Sequence, residues 1–326
     1  MNDDVYGIKK WGNDILEILE NGNIGLKNPF HPDNSPADLI KIIKSLNERG
    51  ISCPVLLRVT DYLAFRIKQI NNSFFRAIRE IRYKGEYKGV FPVKVNQQAQ
   101  VIDRIVEFGK EFDFGLEVGS KPELLIALAH DLSANSTIIC NGIKDREFIH
   151  LAILSIKIGF KTILVLESPR ELDLIIKISK ELNVRPLLGI RVKLTNKVSG
   201  NWSQSSGDRS AFGLSVEQVM EVINKLKIYD YLDCLILQHS HLGSQIPDII
   251  EIRKATQEAC RFFSEMSKLG APLTYLDLGG GLGVDYTGEQ KSAFNSINYS
   301  LDEYCINIVE TVKYELDQSK ITHPTI

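Results

Sequence analysis

The sequence predicts an α/β fold, a (β/α)8 (TIM) barrel that lacks its last strand and follows a short N-terminal extension. Three observations support this prediction: apolar strand-like runs recur along the chain, amphipathic helical stretches separate them, and the repeat stops where an eighth strand would begin. Alternation of strand and helix indicates a parallel sheet, because parallel neighbours need a crossover connection. A doubly wound open sheet shows the same alternation and stays open as the alternative.

The N-terminal extension is predicted over residues 1–53. Within it, Ser35 can cap a helix that begins at Pro36 and continues to Gly50. The barrel is predicted over residues 54–326. It opens with a short strand at 54–59, and a long helix follows at 61–81.

Seven barrel strands are predicted at residues 89–95, 112–118, 137–140, 162–166, 187–194, 235–242 and 275–278. The helices are predicted at 100–108, 122–129, 145–158, 169–181, 216–227, 249–268 and 300–318. An unclosed barrel would leave bare strand edges, which proteins normally avoid. We therefore expect this chain to be the front part of a longer polypeptide.

The composition is that of an ordinary globular protein. Of the 326 residues, 44% are hydrophobic and 25% are charged, and the net charge of −2 gives no reason to expect nucleic acid or an anionic membrane as a partner. The 5 cysteines include no CxxC pair, which favours a reducing compartment. Neither a signal peptide nor an apolar run of membrane-spanning length occurs, so we predict a soluble, cytoplasmic protein.

Lys94 lies in the first predicted strand, within the run Gly-Val-Phe-Pro-Val-Lys-Val at residues 89–95. A strand this apolar is typical of one buried on both faces, so the sequence predicts an amine in a dry interior. Burial without a carboxylate partner lowers the pKa of an amine, and the neutral amine can form a Schiff base with an aldehyde. Alternatively, Lys94 lies at a strand end and its amine reaches water.

A glycine-rich segment follows the seventh strand. It reads Asp-Leu-Gly-Gly-Gly-Leu-Gly-Val-Asp at residues 277–285, and Gly279, Gly280 and Gly281 would let backbone N–H groups converge on an anion. We interpret it as a phosphate-binding turn. A flexible surface turn is the alternative.

The sixth strand ends in Gln-His-Ser-His-Leu-Gly-Ser-Gln at residues 238–245, at the end of the barrel where active sites collect. The His241 ring can stack on an aromatic ligand, and the Ser244 hydroxyl can bind a phosphate. Two histidines in this segment also suggest a metal site, although no third ligand is evident.

Charged side chains occur in two further apolar strands, Glu117 in the second and Arg191 in the fifth. Buried charges are usually paired, so these two residues either form an ion pair with each other or face a common ligand at the barrel mouth. The polar, Gly/Ser-rich segment at 199–213 is either a substrate-binding lid or a surface insertion.

A buried lysine, a phosphate-binding turn and a ring-stacking histidine at one barrel mouth describe a pyridoxal 5′-phosphate site. The sequence resembles the biosynthetic arginine decarboxylases, which belong to the fold type III, alanine-racemase-like pyridoxal phosphate enzymes. The matching segments are residues 6–12, 91–97, 115–121, 140–147, 202–213, 239–245 and 277–286. The lysine, histidine and triple-glycine motifs are shared with ornithine and diaminopimelate decarboxylases. The segments at 6–12, 140–147 and 202–213 point to the arginine enzyme.

The resemblance implies a role for each candidate residue in a pyridoxal phosphate-binding barrel of alanine-racemase type. Lys94 would hold the cofactor covalently, His241 would stack on its ring, and Glu117 and Arg191 would line that ring. Ser244 and the N–H groups of the three consecutive glycines would bind the phosphate. The implied reaction converts L-arginine to agmatine and CO₂ for polyamine biosynthesis. A Mg²⁺ requirement, with ligands that the sequence does not identify, and a homo-oligomer are also implied.

Three alternatives stay open. The chain could belong to a decarboxylase of the ornithine or diaminopimelate type, to a non-catalytic cofactor-binding homologue, or to an aldolase that uses Lys94 without a cofactor. The resemblance also implies that the eighth strand and a following β-domain complete the active site. Because these do not precede Ile326, we expect the isolated chain to be inactive or nearly so.

Overall fold

A computed structural model describes residues 5–195 and 212–326. Its strands are β1 (Leu16–Ile18), β2 (Ile24–Leu26), β3 (Ala37–Asp38), β4 (Val90–Pro92), β5 (Gly115–Val118), β6 (Thr137–Cys140), β7 (Lys161–Leu166), β8 (Leu187–Arg191), β9 (Leu235–His239) and β10 (Tyr275–Asp277). Its helices are α1 (Ile8–Trp11), α2 (Leu39–Glu48), α3 (Thr60–Ile81), α4 (Ala99–Gly109), α5 (Lys121–Leu128), α6 (Arg146–Lys157), α7 (Pro169–Leu182), α8 (Val216–Tyr229), α9 (Ile249–Lys268) and α10 (Leu301–Ser319). None of the described helices combines the length and the apolar character that crossing a membrane requires.

Seven of these strands form one parallel sheet in which the spatial order, from β4 to β10, is also the sequence order. A doubly wound sheet would reverse its strand order at a switch point, so that alternative is wrong. The seven predicted barrel strands are confirmed, and the sheet curls as a barrel does. Short connections and right-handed crossovers explain why consecutive strands are neighbours.

The gap between β10 and β4 is partly filled by the last two residues. The N–H of Leu276 donates to the carbonyl of Thr325 at 2.9 Å, and Lys88 N–H donates to the carbonyl of Ile326 at 2.9 Å. These bonds place Thr325 and Ile326 in the position of an eighth strand, at the amino end of the sheet. A cavity of about 220 Å³ lies in the same gap.

Side chains on both faces of the sheet are buried, as expected for strands enclosed by helices. Ile139, Ile163, Val165 and Leu237 form a cluster of strand residues alone, which therefore fills the barrel interior. The other face of the sheet contributes residues such as Leu164 to the larger core beneath the helices.

Several helices begin at a capping side chain, which fixes where each loop enters its helix. Ser120, Asp145 and Ser168 accept N–H bonds at the starts of α5, α6 and α7. Ser215 and Ser300 form complete capping boxes at α8 and α10. The caps of α5, α6 and α7 follow barrel strands closely, so they also fix the loops at the barrel mouth.

The first 59 residues differ from their prediction in three places. Helix α2 is capped by Asp38 and not by Ser35, because Asn21 and Asn23 donate to the Asp38 carboxylate and hold it at the end of β3. The strand predicted at 54–59 is wrong: these residues form no strand, and the Leu56 side chain is exposed. The three-stranded sheet formed by β1, β2 and β3 was not predicted.

Candidate active site

Lys94 lies in a turn that follows β4, at the carboxyl edge of the barrel. The strand ends at Pro92, and Val93–Val95 form a single 3₁₀ turn. The Lys94 side chain is 61% exposed, so the prediction of an amine inside a strand and in a dry interior is wrong. Proline has no N–H for a strand ladder, which explains why the strand stops there. The alternative, an amine that reaches water from a strand end, is what the structure shows.

Glu117 supplies a carboxylate partner for Lys94. Its side chain is buried, and its Oε1 atom accepts from Asn141 Nδ2 at 3.1 Å and lies 3.4 Å from Lys94 Nζ. Its Oε2 atom is buried without a hydrogen-bond partner among the described residues. A buried carboxylate oxygen of this kind is a suitable acceptor for a polar group of a ligand.

The triple-glycine turn lies directly against the His241 segment. A β-carbon on Gly279 would be 2.9 Å from the carbonyl oxygen of Ser240 and 3.1 Å from His241 Nδ1. A β-carbon on Gly280 would be 3.1 Å from the carbonyl oxygen of Gly243. Any side chain at Gly279 would force backbone to move, and the φ of +66° at this position also favours glycine, whereas a side chain at Gly280 would require only a small shift. The two segments predicted to bind phosphate therefore lie side by side, and Ser244 is exposed at the same place.

Asp277 and His239 hold this turn in place; His239 was predicted only as one of two histidines of a possible metal site, and no role was predicted for Asp277. The Asp277 Oδ1 atom accepts from Gly279 N–H at 2.8 Å, and its Oδ2 atom lies 2.9 Å from His239 Nδ1. Burial opposes ionisation of Asp277, but His239, the Gly279 N–H and His241 together outweigh it and hold the pKa of the carboxyl below its usual value. Within residues 5–195 and 212–326, no hydrogen bond uses the N–H of Gly280 or Gly281, so both can serve an anion.

The environment of His241 keeps its ring neutral at pH 7. Burial lowers the pKa of His241 to about 4, and the charges of His239, Arg191 and Lys94 act in the same direction. A neutral ring suits stacking on an aromatic ligand. Arg191 and Lys94 therefore both act electrostatically on the His241 ring.

Arg191 ends strand β8 and pairs with Glu167, with 2.8 Å between Nη1 and Oε1. The predicted alternative of an ion pair between Arg191 and Glu117 is therefore wrong. Glu167 directly follows β7, and the sequence analysis did not identify it. Residues 199–211 of the segment predicted at 199–213 lie outside the described residues. At the end of this segment, the centroid of the Phe212 ring is 5.1 Å from the Arg191 guanidinium.

The arrangement fits a pyridoxal phosphate better than a metal ion. Within the described part of the chain, no group of three or more His, Cys, Asp or Glu side chains could hold a metal. An accessible amine, a carboxylate with an unused oxygen, a neutral imidazole and two available N–H groups instead meet at one edge. These groups match the aldehyde, ring and phosphate of that cofactor.

Comparison with known proteins supports the same chemistry. Residues 67–320 match the family model described as "Pyridoxal-dependent decarboxylase, pyridoxal binding domain". The biosynthetic arginine decarboxylase of Prochlorococcus marinus is 46% identical over 321 residues, which are 98% of this chain and 49% of that protein. The corresponding protein of Gloeobacter violaceus is 42% identical over 323 residues, which are 99% of this chain and 50% of that protein. The chain thus spans about half the length of the curated relatives it matches.

Solved structures agree with the fold. The biosynthetic arginine decarboxylase SpeA from Campylobacter jejuni superposes with a TM-score of 0.87 at 35% identity, covering 99% of this chain and 52% of that one. A diaminopimelate decarboxylase from M. jannaschii superposes with a TM-score of 0.73 at 23% identity, covering 96% of this chain and 65% of that one, and supports the fold alone. The resemblance to biosynthetic arginine decarboxylases is confirmed, and the chain belongs to the family of pyridoxal-dependent decarboxylases.

Proposed function

We propose that this chain forms the pyridoxal phosphate-binding barrel of an enzyme that decarboxylates L-arginine to agmatine for polyamine biosynthesis. The observation that carries the proposal is the meeting of the Lys94 amine, the Glu117 carboxylate and the triple-glycine turn against His241. The resemblance over 98% of the chain to biosynthetic arginine decarboxylases supports the choice of substrate.

In this proposal the chain's own residues bind and orient the cofactor. The Lys94 amine would hold the cofactor covalently until the substrate amine replaces it, and the released amine would then donate a proton at the α-carbon of the substrate. The Glu117 Oε2 atom, which has no partner among the described residues, would accept a hydrogen bond from the cofactor, and the neutral His241 ring would stack on the cofactor ring. When bound, pyridoxal phosphate supplies the electron sink that accepts the electron pair released as CO₂ leaves.

The phosphate is assigned to the turn beside His241. The N–H groups of Gly280 and Gly281 and the Ser244 hydroxyl would bind it, and Gly279 would permit the close turn while its own N–H bonds Asp277. Arg191 adds a positive charge near the ring.

The other expectations remain proposals. We propose residues 1–53 as an extension and 54–326 as the barrel domain, a division supported by the separate three-stranded and seven-stranded sheets. A cytoplasmic location and no nucleic acid partner are proposed from the composition of the sequence, and a homo-oligomer and a Mg²⁺ requirement are proposed because the family resemblance implies them. No Mg²⁺ ligand is assigned to the described residues.

The function is tested by decarboxylation assays on the protein at its full natural length, supplied with pyridoxal phosphate. Carboxyl-labelled L-arginine, L-ornithine and diaminopimelate are compared by release of labelled CO₂. We expect release from arginine, formation of agmatine, and loss of both in Lys94→Ala. The control is Lys110→Ala, which removes an exposed lysine paired with Asp131. A preference for ornithine or diaminopimelate would overturn the substrate, and cofactor binding without turnover of any substrate would favour a non-catalytic homologue.

A further inference from the structure

A cluster of buried charges lies beside the candidate site, beneath the loops that follow β6, β7 and β8. Its members are Lys144, Glu167, Glu171 and Arg191, whose side chains are 0%, 3%, 8% and 14% exposed. Two positive and two negative groups make the cluster neutral. Of these four residues, only Arg191 belongs to the candidate site, so the role of the other three requires an explanation.

Glu167 connects three loops through one carboxylate. Its Oε1 atom accepts from Arg191 Nη1 at 2.8 Å and from Gly142 N–H at 3.1 Å. Its Oε2 atom accepts from Gly213 N–H at 3.2 Å. Burial opposes ionisation of Glu167, but the charges of Arg191 and Lys144 and the hydrogen bonds from Arg191 and Gly142 together outweigh it, so the pKa of this carboxyl lies below its usual value. Glu167 is therefore a charged acceptor for all three loops.

Glu171 and Lys144 fix the backbone from which the Glu167 side chain extends. Glu171 lies in the first turn of α7, and its Oε2 atom accepts from Glu167 N–H at 2.9 Å. Its Oε1 atom accepts from Lys144 N–H at 3.1 Å, and Lys144 Nζ donates to the carbonyl of Gly142 at 2.6 Å. The carboxylate of Glu167 thus has little freedom to turn away from Arg191.

Arg191 connects this cluster to the groups proposed to bind the cofactor. It pairs in register with His239 of β9, and Val192 N–H donates to the His239 carbonyl at 2.9 Å. An arginine side chain has several rotatable bonds, and its guanidinium reaches a defined position only when a partner holds it. Glu167 provides that partner on the side of Arg191 that faces the loops.

We propose that Glu167 is a positioning residue, which holds the Arg191 guanidinium toward the cofactor site and acts through Arg191 without touching cofactor or substrate. This inference rests on the proposed function only in assigning Arg191 to the cofactor. An ion pair that stabilises the fold and nothing else is the competing explanation. The two explanations differ in what they predict for cofactor affinity.

A double-mutant cycle separates them. Glu167→Gln, Arg191→Gln and the double variant are prepared in the protein at its full natural length. The dissociation constant of pyridoxal phosphate is measured by visible absorbance, and the thermal midpoint is measured alongside. We expect Glu167→Gln to raise the dissociation constant about tenfold relative to wild type. Relative to Arg191→Gln, we expect the double variant to change it by less than about twofold. The matched control, Glu181→Gln, removes an exposed carboxylate of α7 that pairs with Arg146, and we expect the wild-type constant.

A lower thermal midpoint with an unchanged dissociation constant in Glu167→Gln would overturn the positioning role. The role would also be overturned if the fold-change in the dissociation constant of the double variant equalled the product of the fold-changes of the two single variants. If Glu167→Gln does not fold, Glu167→Asp replaces it, because this variant keeps the charge and withdraws the carboxylate by one methylene. A raised constant in Glu167→Asp supports the proposal, and an unchanged constant overturns it. A wild-type protein that binds no pyridoxal phosphate would instead overturn the proposed function itself.

Discussion

Lys94 and Glu117 form an ion pair between the ends of two adjacent barrel strands, with 3.4 Å between Nζ and Oε1. The pair is asymmetric, because the lysine side chain is 61% exposed and that of the glutamate is 8% exposed. The amine is thus held at the barrel edge by a fixed carboxylate, yet it remains open to a reagent from solvent. This combination suits a lysine that must reach the aldehyde of a bound cofactor.

Replacement of Glu117 by Gln should weaken cofactor binding. The variant removes the charge from the carboxylate whose Oε2 atom is proposed to accept a hydrogen bond from the cofactor, and hydrogen bonds to charged groups contribute about 1.5–3 kcal/mol. We therefore expect the dissociation constant of pyridoxal phosphate to rise at least about tenfold, as measured by absorbance titration. Glu107→Gln, which changes an exposed carboxylate of α4, is the control. Equal affinity in wild type and Glu117→Gln would show that Glu117 does not contribute to the site.

Replacement of Gly279 by Ala should displace the phosphate-binding turn. The new β-carbon would crowd the Ser240 carbonyl and the His241 ring, and a positive φ adds strain of about 1 kcal/mol or more. Gly50→Ala is a matched control, because Gly50 has a φ of +79° and no atom within 4 Å of the added carbon. Both variants should lose stability, but only Gly279→Ala should lose affinity for pyridoxal phosphate. Equal affinity in the two variants would contradict this assignment of the turn.

Protonation of His241 should destabilise the fold as the pH falls. Burial lowers its pKa from 6.5 to about 4, so the unfolded chain binds this proton more readily than the folded one. The contribution is fully present above pH 6.5 and is lost as the pH falls toward 4, by up to about 3 kcal/mol. Urea unfolding of the cofactor-free protein across this range should therefore show a smaller pH dependence in His241→Gln than in wild type. Parallel curves for the two proteins would contradict the buried, neutral ring.

Replacement of Lys144 by Met should be strongly destabilising. The Lys144 side chain is fully buried against Glu171, and its loss leaves carboxylates without their balancing charge. Breaking a buried pair in this way costs about 3–5 kcal/mol of unfolding free energy, which urea denaturation measures. Lys110→Ala, which breaks the exposed pair with Asp131, should change stability little. A Lys144→Met protein as stable as Lys110→Ala would show that this cluster is not a structural unit.

The barrel could be predicted from the sequence because its strands are local, apolar and regularly spaced. The runs that contain Leu116, Ile138 and Leu164 are each buried on both faces, and that pattern is visible without any long-range contact. The three-stranded N-terminal sheet was missed for the opposite reason. Its strands are two or three residues long and depend on pairing between separate segments.

The candidate site was predicted through its motifs but not through its pairings. The positions of His241 and the triple-glycine turn follow from their places at the ends of neighbouring strands. Arg191 pairs with Glu167, and Asp277 lies beside His239. Both pairings are set by loop geometry, which spacing in the sequence does not reveal. Lys94 was placed in a strand because its neighbours are apolar, although Pro92 was a signal that the strand ends before it.

The most direct test of the central claim is to locate the bound cofactor. Protein loaded with pyridoxal phosphate is treated with borohydride, digested with a protease and analysed by mass spectrometry. We expect the visible absorbance to bleach and the reduced pyridoxyl group to be attached to the peptide that contains Lys94. Label on another lysine, or none in a protein that binds the cofactor, would contradict the assignment of Lys94 and with it the proposed site.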